Sequence, residues 1–309
     1  MSGEAGKRPA VTGHWTRRAR FAFNRGLSSS SRCHPILREF ADSLFAVVFP
    51  TRCLICNREV ASANGLGVCA DCWLGVEPWE GISCERCGLP IVSERAADSS
   101  EVLCGVCRVN EPAFDRARGY GIYRGALRHL ILELKFRRRE RLGRRLGGFL
   151  AHAWKTLGGP GNGEPYLIVP VPLFRSRERE RGFNQARLLA EGLKKQLGRK
   201  RCGTAAKIET GLLIRTRATR PQTRLKLQQR MENVRGAFSV SKPTQILDRQ
   251  IVLVDDVMTT GATLSACAGA LKKSGAAKVY ALTLARATPQ FPDTDDLPGS
   301  AGVDEFGSQ

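Results

Sequence analysis

The chain has 309 residues and carries 49 Lys and Arg against 29 Asp and Glu, a formal charge of +20. Its 42% hydrophobic and 25% charged content is that of a folded protein, which excludes a wholly disordered chain. The excess positive charge implies an anionic partner, and charge alone leaves this as nucleic acid, an acidic surface or a polyphosphate.

Residues 1–33, rich in Arg, Ser and Gly without periodicity, read as a disordered basic tail. Arg17-Arg18 has the look of a twin-arginine export signal. The apolar stretch such a signal needs is missing, because Asn24 and Arg25 interrupt Phe21-Ala22-Phe23. Residues 34–50 place Ile36, Leu37, Phe40, Leu44, Phe45 and Val48 at helical spacing before Pro50, and predict a short amphipathic helix. The apolar run at 44–49 spans six residues, far below the ~20 that cross a bilayer. We therefore expect no membrane span and a cytoplasmic protein with reduced thiols.

Residues 51–110 hold four Cys-x-x-Cys pairs: Cys53 and Cys56, Cys69 and Cys72, Cys84 and Cys87, Cys104 and Cys107. Each such turn presents two thiolates to one tetrahedral ion, and two turns close a structural Zn2+ site. Two sites are expected. Pairing in sequence is the simplest arrangement, with a crossed one left open. Asn57 and Gly88 directly follow knuckle cysteines, where these residue types suit a left-handed backbone. With all four thiolates engaged the zinc is closed to catalysis and staples a segment too small for its own core. Cys33, Cys202 and Cys267 fall outside the pattern.

Residues 111–288 read as an α/β domain. A strand is predicted at 114–123 and a helical region at 126–157, broken near Gly147-Gly148. A loop follows at 158–165, a buried strand at 166–171 and a helix at 184–197. A basic stretch at 215–235 precedes a buried strand at 251–254, a helix at 262–274 and a strand at 278–285. This alternation points to a mostly parallel sheet flanked by helices. Residues 289–309, with five acids and no Lys or Arg, read as a disordered acidic tail.

The most informative stretch is Ile251-Val252-Leu253-Val254-Asp255-Asp256-Val257-Met258-Thr259-Thr260-Gly261-Ala262-Thr263-Leu264. Two carboxylates end a buried strand, where open α/β sheets place ligands. Thr259, Thr260, Gly261, Ala262 and Thr263 then turn into a helix whose free N–H groups make a phosphate cradle. Acceptors ahead of a phosphate-sized loop suit a sugar phosphate. A Walker B reading fails because no G-x-x-x-x-G-K-[ST] loop precedes the strand.

This strand, acidic pair and loop resemble the signature of type I phosphoribosyltransferases, which bind phosphoribosyl pyrophosphate (PRPP). The segments Val169-Pro170-Val171-Pro172-Leu173, Arg181-Gly182-Phe183-Asn184-Gln185-Ala186 and the run from Arg215 to Asn233, together with the cysteine pairs, extend the likeness to the ComF family of competence-associated proteins. The resemblance covers residues 37–287. It implies a type I phosphoribosyltransferase fold preceded by a double zinc ribbon. Asp255 and Asp256 would be the catalytic pair, taking the ribose hydroxyls, and Thr259 to Thr263 would hold the 5′-phosphate. Arg181, Asn184 and Gln185 would lie on the pyrophosphate side, Mg2+ would accompany PRPP, and residues 215–235 match a loop that closes over the reaction. Lys135 and Phe136 match a Lys-aromatic step whose purpose the sequence does not give.

The implied reaction is phosphoribosyl transfer to an acceptor with release of pyrophosphate. The alternative is a nucleic-acid-binding competence factor, partnered by single-stranded DNA or competence helicase machinery, that uses the PRPP pocket for sensing or not at all. Residues 115–151 hold eleven Lys and Arg against three acids, and 175–201 hold ten against three. Arg137 to Arg139, Arg144 and Arg145 are expected on exposed helix faces. Such runs suit a phosphate backbone as well as a solvated surface.

Overall fold

A computed structural model describes residues 51–60, 66–92, 102–158, 166–199, 206–219, 227–288 and 290–291. The expected basic tail and helix at 1–50, most of the acidic tail, and the loop at 159–165 lie outside these residues.

The core is a five-stranded parallel sheet. In chain order its strands are β3 (Arg116–Ile122), β4 (Tyr166–Pro170), β5 (Ala206–Ile208), β8 (Gln250–Met258) and β9 (Lys278–Arg286), arranged β3-β9-β8-β4-β5. Near-continuous apolar runs in β4, β8 and β9 are what a parallel sheet covered on both faces requires. Helices α3 (Gly125–Phe136), α4 (Glu140–Gly147), α5 (Leu150–Leu157) and α7 (Gln185–Arg199) cover one face. There Leu130, Leu134, Leu146, Leu189 and Leu193 join Ile168, Val252, Val254 and Leu282 in one core. Helix α9 (Ala262–Lys273) covers the other face, with Leu264, Cys267 and Leu271 against Val169, Leu253 and Ala281. Beside α9 lies a small antiparallel pair, β6 (Leu213–Arg215) and β7 (Phe238–Val240), with α8 (Leu227–Val234) between them in the chain.

Helices α4 and α7 cross in near backbone contact. A Cβ on Gly147 would sit 2.2 Å from the Leu189 carbonyl, and one on Gly192 2.1 Å from the Arg144 carbonyl. Only glycine fits at either point.

The cysteine segment comprises β1 (Thr51–Arg52), β2 (Glu59–Val60), α1 (Ala70–Leu74) and α2 (Gly105–Val109). It straddles the β3 edge of the sheet. Cys53, Cys56 and Cys72 join the core of the α3 face, while Cys84, Cys87, Cys104 and Cys107 join that of the α9 face. Trp79 N–H donates to the Tyr120 carbonyl and Ala117 N–H to the Arg86 carbonyl, both at 2.8 Å. The ribbon thus covers a strand edge that would otherwise be open to pairing.

The expected helical region at 126–157 is three helices, with breaks at residues 137–139 and 148–149. Arg138 has φ of 52°, and its guanidinium donates to the Glu180 carbonyl at 3.1 Å. Arg137 to Arg139 therefore form a turn rather than a helix face, a correction to the sequence reading. Arg144 and Arg145 do lie exposed on α4. No helix among the described residues is long and apolar enough to cross a membrane.

Candidate functional site

The cysteines gather in sequence. Cys53, Cys56, Cys69 and Cys72 form one cluster and Cys84, Cys87, Cys104 and Cys107 the other, with the ligand atoms of each within 4.8 Å of one another. Sγ atoms of Cys56 and Cys69 lie 3.6 Å apart, those of Cys87 and Cys104 3.7 Å. Tetrahedral Zn–S bonds of about 2.3 Å put sulfurs about 3.8 Å apart, so both clusters fit zinc. Asn57 (φ 58°) and Gly88 (φ 64°) take the left-handed conformation expected of knuckles, and the Cys72 and Cys107 N–H groups donate to Cys69 and Cys104 sulfurs.

The sulfurs are electrostatically unequal. Burial opposes ionisation of Cys53, but N–H donation from Cys69, Cys56 and Ile55 brings its thiol down to about 6, while burial pushes Cys72 up. Hydrogen bonding between Cys84 and Cys87 brings Cys84 down to about 4 and pushes Cys87 well up. Four such sulfurs ionise together only around a cation.

The second candidate site lies at the C-terminal ends of β4 and β8. These adjacent strands feed connections that leave in opposite directions: β4 leads through α6 (Arg175–Arg181) and α7 on one face to β5, and β8 through α9 on the other face to β9. Their divergence opens the crevice in which open α/β sheets bind ligands.

Strand β8 runs through the acidic pair rather than stopping before it. Successive strand residues face opposite sides, and the contacts of the two acids agree. Asp256 is buried, at 5% exposure, and its Oδ1 accepts from Lys135 Nζ of α3 at 3.0 Å. Its Oδ2 is buried with no hydrogen-bond partner. Asp255 faces the α9 side and is half-buried, with Oδ1 accepting from the Asp256 N–H at 2.8 Å. Burial, and then the charge on Asp256, push the Asp255 carboxyl up to about 7, with Lys135 and Arg215 acting in the other direction.

The loop after β8 is partly open, with Gly261 and Ala262 buried. Thr259 is exposed, and Thr260 and Thr263 are half-buried. Gly261 (φ 83°) forms the left-handed step into α9, and Thr260 Oγ1 accepts from the Ala262 N–H at 3.4 Å. Across the crevice, Asn184 ties the start of α7 to the end of β4. Its Nδ2 donates to the Val171 carbonyl at 3.0 Å, and its Oδ1 accepts from the Ala186 N–H at 2.9 Å. Gln185 is buried with its Oε1 unpartnered. The Arg181 guanidinium stands 5.8 Å over the Phe136 ring. The end of α3 thereby meets the α6–α7 junction beside the carboxylate pair.

The fold thus gathers the acidic pair and Thr-Gly loop on one side of the crevice, and Arg181, Asn184 and Gln185 on the other. It adds Lys135, matched in sequence but without an assigned role, Arg215, which opens the stretch matched to a closing loop, and Arg286, which sequence reasoning passed over. Arg215, at the end of β6, is placed near enough to Asp255 to favour its charged form. Arg286 closes β9 beneath the loop. The signal for Arg286 was a lone cation ending the mostly apolar run 279–285.

Comparison with known proteins agrees with the two-domain organisation. The double zinc ribbon domain model matches residues 44–108, and the phosphoribosyl transferase domain model matches residues 183–298. DNA utilization protein YhgH of Escherichia coli (strain K12) is 34% identical over 241 residues, covering 77% of this chain and 97% of that protein. Competence protein F of Haemophilus influenzae is 31% identical, covering 77% and 98% respectively. Competence protein ComFC of Bacillus subtilis is 27% identical, covering 71% and 84%. With a double zinc ribbon ahead of a phosphoribosyltransferase fold, and relatives matched over nearly their whole length, this chain belongs to the ComF family.

Proposed function

We propose that the chain binds PRPP at the ends of β4 and β8 and transfers its phosphoribosyl group to an acceptor, releasing pyrophosphate. The observation that carries this reading is the unpartnered Asp256 Oδ2 beside the half-buried Asp255, a few residues before a partly open turn at the start of α9. A buried carboxylate oxygen without a donor is costly, and a ribose hydroxyl is a donor of suitable size.

In this reading Asp255 and Asp256 accept from the ribose 2′- and 3′-hydroxyls. The backbone N–H groups and hydroxyls of Thr259, Thr260, Gly261, Ala262 and Thr263 hold the 5′-phosphate. Arg181 and Gln185 face the pyrophosphate, with Asn184 keeping their loop in place. Mg2+ accompanying the substrate would supply charge that offsets the pyrophosphate, on the side of the crevice lined by Arg181, Asn184 and Gln185. The anomeric C–O bond breaks through an oxocarbenium-like state, which the nearby carboxylates favour electrostatically, and the acceptor bonds to the same carbon. The ribbon's zinc ions are structural.

Calorimetry of the zinc-loaded protein with Mg·PRPP tests the pocket, and saturable binding that Asp255→Asn/Asp256→Asn abolishes is expected. Pyrophosphate release on adding nucleobases or amines tests turnover.

A second reading rests on surface charge. Exposed Arg138, Arg141 and Arg144, with Arg139, line a cleft of about 420 Å3 beside Leu66, and α6 contains Arg175, Arg177, Arg179 and Arg181 without one buried residue. With relatives named for competence and DNA utilization, this supports a role with single-stranded DNA in cytoplasmic DNA uptake, the pocket then serving as a sensor. Single-stranded DNA affinity across a salt series tests it, since backbone contacts give a steep log–log slope.

A further inference from the structure

Arg286 is 6% exposed and stands between the two candidate sites. Its Nη1 donates to the Met258 carbonyl at 2.9 Å, to the Ala287 carbonyl at 3.1 Å, and to the Thr259 carbonyl. Its Nη2 approaches Cys87 Sγ, a member of the second cysteine cluster, at 3.9 Å.

The consequence follows from peptide geometry. In a planar trans peptide the carbonyl and the next residue's N–H point in opposite directions. A guanidinium that holds the Met258 and Thr259 carbonyls therefore turns the Thr259 and Thr260 N–H groups away from itself. The same cation is an outer partner to a zinc-ligating sulfur. Such partners orient the ligand and commonly act on whatever else they touch. A zinc-bound thiolate is a fixed negative acceptor for Nη2, which a cluster without its ion does not hold in place.

We infer that Arg286 is a positioning residue that couples the second cysteine cluster to the 259–263 loop, so that metal in the ribbon sets the aim of the loop's N–H groups. The inference rests on the PRPP reading for the identity of the ligand, but not for the coupling itself.

The experiment compares zinc-loaded wild type, Arg286→Met, Arg286→Lys and Cys107→Ser, the last removing a ligand from the second cluster. Three quantities are read: amide hydrogen exchange at 259–263, zinc release to a chromophoric chelator, and Mg·PRPP affinity by calorimetry. Arg286→Met is expected to keep both zinc ions at rest while speeding exchange in the loop and zinc loss from the second cluster. Its PRPP affinity should fall by about tenfold or more, and Arg286→Lys should recover part of each effect. Cys107→Ser should speed loop exchange in the same way.

If Arg286→Met does not fold, Cys107→Ser carries the test. Wild-type exchange at 259–263 in a folded Arg286→Met, or in Cys107→Ser, overturns the coupling. If wild type does not bind PRPP, the functional reading fails, while the exchange and zinc-release results still decide the coupling.

Discussion

Replacing Lys135 with Met tests the electrostatic frame of the site. The ammonium sits 3.0 Å from Asp256 Oδ1, with the two side chains 19% and 7% exposed. At an effective dielectric constant near 20 that separation corresponds to about 5 kcal/mol of attraction, part of which offsets desolvation of the pair. Removing one member leaves Asp256 buried and unpaired beside Asp255, and such losses run to about 3–5 kcal/mol. We predict that Lys135→Met destabilises the zinc-loaded protein by about 3 kcal/mol at pH 8, measured by urea unfolding. The deficit should shrink toward pH 5.5, because protonation of Asp255, whose carboxyl is held up at about 7, relieves its repulsion of the buried Asp256. In an Asp256→Asn background the same change should cost under about 1 kcal/mol. A loss below about 0.5 kcal/mol at pH 8, or the same loss in the Asn background, would refute the pairing.

Further expectations follow from the same geometry. Because the Asp255 pKa is raised from 3.8 to about 7, the folded state holds a proton that the unfolded chain has released. Its contribution to stability therefore declines as pH rises from about 4 to 7. Melting temperature measured across this window should show the decline in wild type and lose that component in Asp255→Asn. Gly261→Ala places a Cβ at φ 83°, a conformation costing about 1–2 kcal/mol for a non-glycine residue. It should lower stability by that amount in chemical denaturation and weaken PRPP binding. Metal analysis should find two zinc ions per chain and one in Cys53→Ser, and chelation should remove the near-ultraviolet circular dichroism of Trp73, which packs against the first cluster's core.

Legibility varied with how much of each feature is local. The β8 loop was readable because a four-residue apolar run, two acids and a Thr-Gly turn are consecutive in the chain. The knuckles were readable because Cys-x-x-Cys followed by Asn or Gly fixes its own backbone. Pairing order stayed open until the fold placed one cluster on each side of β3. Helix α6 was missed because Arg175–Arg181 contains no apolar residue and hence no periodicity. The break after α3 was missed because three arginines carry no stop signal, and the left-handed Arg138 is held by a contact to Glu180 across 42 positions. The close approach of Gly147 and Gly192, the Lys135–Asp256 pair and the hold of Arg286 on the loop all join distant segments. Charge and size at those positions have meaning only once the sheet is assembled.

The most direct measurement is a crystal structure of the zinc-loaded protein grown with Mg2+ and PRPP. The 5′-phosphate is expected within hydrogen-bonding distance of the 260–263 amides, with the ribose hydroxyls on Asp255 and Asp256. PRPP seated away from this crevice, or an Asp256 Oδ2 still without a donor in the occupied site, would contradict that expectation.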